Sequence, residues 1–344
     1  MLRCRGCAEA HRRLIKIAPK VVSNLNAMPA TVGKKGGQRA MQHASDMVRA
    51  KALIRRPDER YPSGIGNTAK KAWHRASCGP GASGIFSALI GRENNDYNAL
   101  TAGHSVSNAC MRLAIELQLH CVLSERAGLP PICACGVELD VRGLHLLSCS
   151  AVGGRTARHD LINKKLSCVY RTIGVAADEE YEDEYPGKDA RPDNVLSQFD
   201  GHKVHVDVVV PQTVTENMQT LRRHAVRDGA PTNSAERRKQ QKYDAAGINN
   251  LNNTVLVPFA VSDAGRYGNR ARKHLKALAR FAQRVGYCEP WFFWSAFVPQ
   301  LNAALMEGNM RMVRMARKNI MDKRKNAVGE NAAPWAGGAP HWYV

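Results

Sequence analysis

No run of 18 or more apolar residues occurs among the 344 of this chain, whereas a helix that crosses a bilayer needs about 20. The most apolar stretch, Trp291 to Met306, is interrupted by Pro299 and Gln300, so no membrane span is expected. The opening Met1-Leu-Arg-Cys-Arg-Gly-Cys7 lacks the apolar segment of an export signal. The ten cysteines are therefore expected in a reducing compartment, as thiols or metal ligands rather than disulfides. Negative charge is also scarce, and its one concentrated stretch is Asp178-Glu-Glu-Tyr-Glu-Asp-Glu184.

Positive charge is abundant. Fifty Lys and Arg against thirty Asp and Glu leave +20, a surplus that favours polyanionic partners such as nucleic acid. Seventeen Lys/Arg against four Asp/Glu fall within residues 1–75, a net +13. With Gly33-Lys-Lys-Gly-Gly37 and Arg56-Pro-Asp-Glu-Arg-Tyr-Pro-Ser-Gly64 breaking it up, 1–76 reads as a basic, helical, partly disordered arm.

A helical linker is expected over 77–131, since Ala109, Leu113, Ile115 and Leu119 recur at helical spacing. A cysteine-rich knuckle follows at 132–150. Residues 151–290 alternate helix and strand, which predicts a small α/β unit. Its elements are a helix over Thr156–Ile173, strands over Asn194–Phe199 and Lys203–Val210 and helices over 215–228 and 234–246. A buried strand over Thr254–Val261 and a basic helix over Arg270–Val285 complete it. Asp200-Gly201 suits a two-residue hairpin turn. In the second strand Val204, Val206, Val208 and Val210 share one face, and Lys203, His205, Asp207 and Val209 the other. C-terminal helices, one of them basic over Asn309–Lys325, are expected over 291–328, then a disordered tail over 329–344. Trp291-Phe-Phe-Trp294 reads as core rather than a base-stacking surface.

Cys133-x-Cys135-x9-His145-x3-Cys149 offers three thiolates and one imidazole, the donor set of a closed, structural Zn²⁺ site, with Gly136 free to turn. The alternative is a set of ordinary buried thiols and a surface histidine. Cys4-x2-Cys7-x3-His11 is a weaker candidate with three ligands. Cys78, Cys110, Cys121, Cys168 and Cys288 stand singly and read as small core residues.

Asp193, in Arg191-Pro192-Asp193, and Asp207 fall on adjoining strands of one hairpin. Two carboxylates so placed repel unless a cation sits between them, and a hard, oxygen-seeking ion such as Mg²⁺ suits them. Glu180 is a candidate third ligand, with Glu179, Glu182 and Glu184 competing. Phosphodiester hydrolysis uses such a centre, because the metal activates water and stabilises charge on phosphate. Lys239 and Lys242, three apart on one helix, are candidates for the accompanying cation.

Taken in order, the knuckle, Arg158-His159-Asp160, Arg191-Pro192-Asp193, Asp207-Val-Val, Lys239-x2-Lys242-Tyr243 and Val257-Pro258-Phe259 resemble the C-terminal region of site-specific non-LTR retrotransposon proteins over roughly residues 77–285. The resemblance implies an α/β, restriction-endonuclease-like core of the PD-(D/E)XK type behind the zinc knuckle. It also implies a DNA endonuclease acting in target-primed retrotransposition. Asp193 and Asp207 become magnesium ligands and Lys239 or Lys242 the catalytic lysine. Arg158, His159, Arg191 and Tyr243 then lie against nucleic acid, either target DNA or element RNA, and the protein is expected in the nucleus. Val209 occupies the position where the wider fold often keeps lysine, so activity falls to the helix lysines. No aromatic-x-Asp-Asp motif occurs, so reverse transcription is expected of a separately encoded enzyme. The rival expectation is an inactive remnant that only binds nucleic acid.

Overall fold

The computed structural model describes residues 66–77, five positions between 113 and 123, most of 132–149, and 154–179, 191–215, 217–247 and 253–328. The Cys4–Cys7–His11 candidate, Glu180 with Glu182 and Glu184, and the 329–344 tail lie outside the described residues.

Helix α1 (Gly66–Ser77) is followed by a 3-10 turn at His145–Leu147 in the knuckle, then by α2 (Gly154–Thr172). Strands β1 (Ala177–Glu179), β2 (Asn194–Phe199) and β3 (His202–Val209) come next. After them run α3 (Met218–Val226), α4 (Ala230–Ala245), β4 (Thr254–Ala260), α5 (Asn269–Arg284) and α6 (Pro290–Val328). The four strands form one mixed sheet in the order β1-β2-β3-β4, antiparallel until the last pair, which is parallel. The Asp-Gly turn between β2 and β3 has positive φ at both residues, 52° and 79°, as the tight hairpin turn requires.

Two parallel strands need a crossover between them, and α3 with α4 supplies it from β3 to β4. The consequence for β3 is burial on both faces. Val204, Val206 and Val208 enter the main core with α2, α5 and the first half of α6. His205 and Asp207, on the opposite face, are buried too, with Lys239 of α4 reaching Asp207. Helix α5 buries Ala271, Leu275, Leu278 and Ala282 at spacings of three and four and turns Lys273, Lys276 and Arg280 outward.

Residues 290–328 form one helix rather than separate pieces, and it serves two cores. Phe293, Phe297, Leu301 and Leu305 join the sheet core. Met310, Val313, Ala316 and Ile320 join a second core with the knuckle, α1 and α3. Packing therefore continues across residue 290, where the sequence suggested an end to the α/β unit. Phe293 is fully buried, Phe292 and Trp294 are partly buried and Trp291 is half-exposed, so the aromatic run is shared between core and surface. No helix among the described residues is long and apolar enough to cross a membrane.

Candidate functional site

The knuckle is folded by its own backbone before any metal is considered. Ile132 and Glu138 form an antiparallel bridge, and the Cys133 amide donates to Val137 O at 2.8 Å. Gly136, at φ +86°, makes the turn that returns Val137 to Cys133, its own amide donating to Cys133 O at 2.9 Å. On the other side Asp140 accepts from the amides of Arg142, Leu144 and His145 at 2.9, 3.0 and 2.8 Å. That nest fixes the loop from which His145 projects, and the Cys149 amide closes onto His145 O at 2.9 Å.

The four ligand atoms of Cys133, Cys135, His145 and Cys149 lie within 4.8 Å of one another. The Sγ atoms of Cys133 and Cys149 are 3.8 Å apart, and Cys135 Sγ is 3.1 Å from His145 Nε2. Two thiolates at ~2.3 Å from a tetrahedral ion would stand about 3.8 Å apart, and a disulfide would bring them to ~2.0 Å. Among the described residues this is the one group of three or more such side chains placed to hold a metal, and its chemistry suits zinc. Burial tends to raise the Cys135 thiol, but the Val137 backbone and the neighbouring thiols outweigh it and lower its pKa.

The second site forms where β2 begins. The Asp193 amide donates to Val206 O at 2.9 Å, while its Oδ2 accepts from the Val208 amide at 2.6 Å. Asp193 thus brackets the backbone of Asp207, and the two carboxyls are close enough to interact electrostatically. Asp207 is 3% exposed in its side chain, and Lys239 Nζ donates to its Oδ1 at 2.8 Å. Its Oδ2 is buried without a hydrogen bond of ordinary geometry, although the Tyr243 hydroxyl is close enough to act on the carboxyl. Burial raises the Asp207 pKa to about 6, Lys239 opposes that rise, and Asp193 adds to it.

His159, on α2, reaches Asp193 Oδ2 through Nε2 at 3.0 Å and Asp160 through Nδ1 at 3.3 Å. Burial opposes its protonation, but the two carboxylates win and raise its pKa to about 9. One and two turns on, Asn163 donates to Asp193 O at 3.4 Å and Ser167 donates to Asn194 Oδ1 at 2.6 Å, while Asn194 donates to Asn163 Oδ1. The His159-x3-Asn163-x3-Ser167 stripe was the missed signal: a polar line at helical spacing that orients the start of β2.

Several expected residues stand elsewhere. Arg158 is 4% exposed, donates to Asn309 Oδ1 at 2.9 Å and faces Asp263, so it is an interior tie rather than a phosphate contact. Burial lowers its pKa to about 10, which leaves it charged at neutral pH. Tyr243 is fully buried and supports Asp207 instead of meeting nucleic acid. Lys242 is exposed, so of the two lysines Lys239 joins the acids. Arg191 is exposed beside Asp193. Glu179 is on β1 and pairs with Arg171.

No protein-family model matches this sequence, and no curated protein matches it.

Proposed function

We propose that the chain is a Mg²⁺-dependent DNA endonuclease with a PD-(D/E)XK-type core, nicking target DNA for retrotransposition while a separately encoded polymerase extends the cut. Nuclear localisation follows from that substrate. The observation that carries the reading is the meeting of Asp193 and Asp207 at adjoining strands, with the Lys239 ammonium 2.8 Å from Asp207. The order helix, three antiparallel strands, crossover, parallel strand supports it, since this order creates the junction where the acids meet. The buried Asp207 Oδ2, with the Tyr243 hydroxyl near the carboxyl, is an oxygen donor of the hard kind that Mg²⁺ takes.

Asp193 and Asp207 would hold the ion, which would supply charge neutralisation on phosphate and an activated water. Lys239 keeps a fixed positive charge at that point, and Arg191 is exposed to meet a phosphate. The outward cations of α4 and α5, among them Arg237, Arg238, Lys242, Lys273 and Lys276, provide backbone contacts that should weaken steeply with salt. The knuckle serves as a structural clamp on the second core. One observation favours the rival, non-catalytic scaffold: each acid already has a protein cation, His159 or Lys239.

The test is incubation of supercoiled plasmid with the protein and Mg²⁺, with Asp207→Ala and Lys239→Ala in parallel. Nicking by the wild type that Asp207→Ala abolishes and Lys239→Ala reduces to a low residual rate supports the nuclease. Plasmid retarded in a gel but uncut by all three proteins would leave only the scaffold.

A further inference from the structure

Helix α4 carries Lys239 yet is thinly anchored by apolar packing. Its buried residues are Ala230, Pro231, Thr232, Ala235, Glu236 and Tyr243, and the small cluster on its far side consists of Tyr243, Leu256 and Ala246. No residue from 237 to 242 is buried. Around Lys239 the rotation of the helix is therefore set from the buried residues that flank it, Glu236 one turn before and Tyr243 one turn after.

Glu236 is an unusual anchor. It is 3% exposed, and its carboxylate lies under the first turn of α5. There Oε1 accepts from the amides of Arg270 and Ala271 at 3.0 and 3.1 Å, and Oε2 from Arg270 at 3.1 Å. A helix start offers just such unsatisfied amides and a partial positive charge. The seat is closed by Gly268: a Cβ there would overlap Glu236 Oε1 and crowd Cδ at 2.5 Å. Gly268 is itself tied to the end of β4 through Ala260 O at 2.8 Å. Asn233, one turn earlier, accepts from the Asn269 amide at 3.4 Å, and Arg270 bonds Gln240 from the other side.

We propose that Glu236 is a positioning residue: seated in the cleft that Gly268 leaves under α5, it sets the rotation of α4 that delivers Lys239 to Asp207. The proposal rests on the nuclease reading for its consequence in catalysis, but its geometry can be measured without turnover. Gly268→Ala evicts the carboxylate while leaving Glu236 in the chain, and Glu236→Ala removes it. Glu236→Gln keeps the shape but presents an amide N–H to backbone donors.

The experiment has two arms on the full chain. In the first, brief lysine acylation is read by mass spectrometry at Lys239 and at exposed Lys242, with thermal unfolding confirming that each variant is folded. Lys239 should label several-fold more slowly than Lys242 in the wild type. Glu236→Ala and Gly268→Ala should each erase that difference, with Glu236→Gln between. Continued protection of Lys239 in the folded variants overturns the proposal whether or not the protein cuts DNA.

In the second arm, nicking rates are compared in the presence and absence of Lys239→Ala. Displacement of a catalytic group by about 1 Å costs on the order of 100-fold, so Glu236→Ala should lower kcat by roughly that factor at unchanged KM. In the Lys239→Ala background it should cost nothing further. An additional loss in that background would show that Glu236 acts on general stability and not through Lys239. Absence of wild-type nicking sinks the nuclease reading alone, and the labelling arm then decides the positioning role.

Discussion

Asp207→Asn is expected to abolish nicking and, at the same time, to stabilise the fold. In the folded protein burial holds the Asp207 pKa at about 6, against an ordinary 3.8. The charged form is therefore disfavoured by folding, by about 3 kcal/mol. That figure already contains the attraction of Lys239. The sign follows from proton binding: between 3.8 and about 6 the folded state holds the proton that the unfolded state has released. The penalty is thus fully present above about pH 6 and disappears as the pH falls toward 3.8. A neutral amide of the same shape escapes it, so at pH 7.5 the variant should be more stable by about 1–3 kcal/mol, the lower end allowing for imperfect bonding of the amide to Lys239. The assay is urea unfolding at pH 7.5 and pH 4.5, in which the advantage should shrink at the lower pH. Mg²⁺ supplies the functional half of the test. At about ten times its dissociation constant it would stabilise the wild type by about 1.4 kcal/mol and the variant much less. A variant that is less stable at both pH values would refute the reasoning about burial, and equal Mg²⁺ stabilisation of both proteins would remove Asp207 from the metal site.

Other perturbations separate structural from functional charge. His274 is buried among Phe199, Phe259 and Tyr170, with the Tyr170 hydroxyl 2.9 Å from its Nε2, and burial lowers its pKa to about 4 from 6.5. Stability tied to it is present above pH 6.5 and falls by about 2–3 kcal/mol as the pH drops toward 4, and His274→Gln should flatten that part of a urea-midpoint profile. Chelation of zinc, or Cys149→Ala, should lower the thermal midpoint and expose Cys133 to thiol reagents, because both cysteines are part of the second core. Arg158→Met should destabilise by about 3 kcal/mol or more by stranding buried Asp263, with no change in the salt dependence of DNA binding. Arg191→Ala should do the reverse, leaving urea stability alone and reducing the log K against log salt slope by about 1. Mg²⁺ titration should move the imidazole NMR signals of His159 while Lys239 stays protected from acylation.

What could be read from the sequence was what local chemistry decides. Asp200-Gly201 announced the hairpin because few other pairs accept two positive φ angles, and the valine alternation announced which way Asp207 points. The knuckle was legible because its ligands lie within seventeen residues and need little from the rest of the chain. The misreadings share a different cause: distant partners. Arg158 and Tyr243 carry polar groups that belong on a surface unless something far away satisfies them, and for Arg158 that is Asn309, 151 residues on. Helix α6 was read as separate helices, with Pro299 and Gln300 interrupting its apolar stretch; Asn302 and Gly308 are also poor helix formers. In the structure Asn302 accepts from the Tyr267 hydroxyl at 2.8 Å, and Gly308 leaves room for Arg158, whose Cβ and Cγ a side chain there would overlap. Apparent helix breakers thus serve packing between elements, which no local pattern displays. The choice between Lys239 and Lys242 was open for the same reason, since it depends on how α4 is rotated against β3.

The pairing of each acid with a protein cation also decides what a nuclease reading requires. Two carboxylates brought together repel, and here His159 and Lys239 relieve that repulsion, so convergence alone does not demand an additional ion. Under the nuclease proposal an entering divalent cation would compete with one of the two. Lys239 is tied to an acid that is 3% exposed, and removing its ammonium would leave a buried charge poorly compensated. His159 differs in three respects: it can lose its proton, it has Asp160 as a second partner at 3.3 Å, and its acid, Asp193, is the more accessible at 17%. Asp193 also keeps the Val208 amide when the imidazole withdraws. Under the nuclease proposal the metal side of the centre would thus be the Asp193 side, with Lys239 the fixed charge and His159 the one that yields.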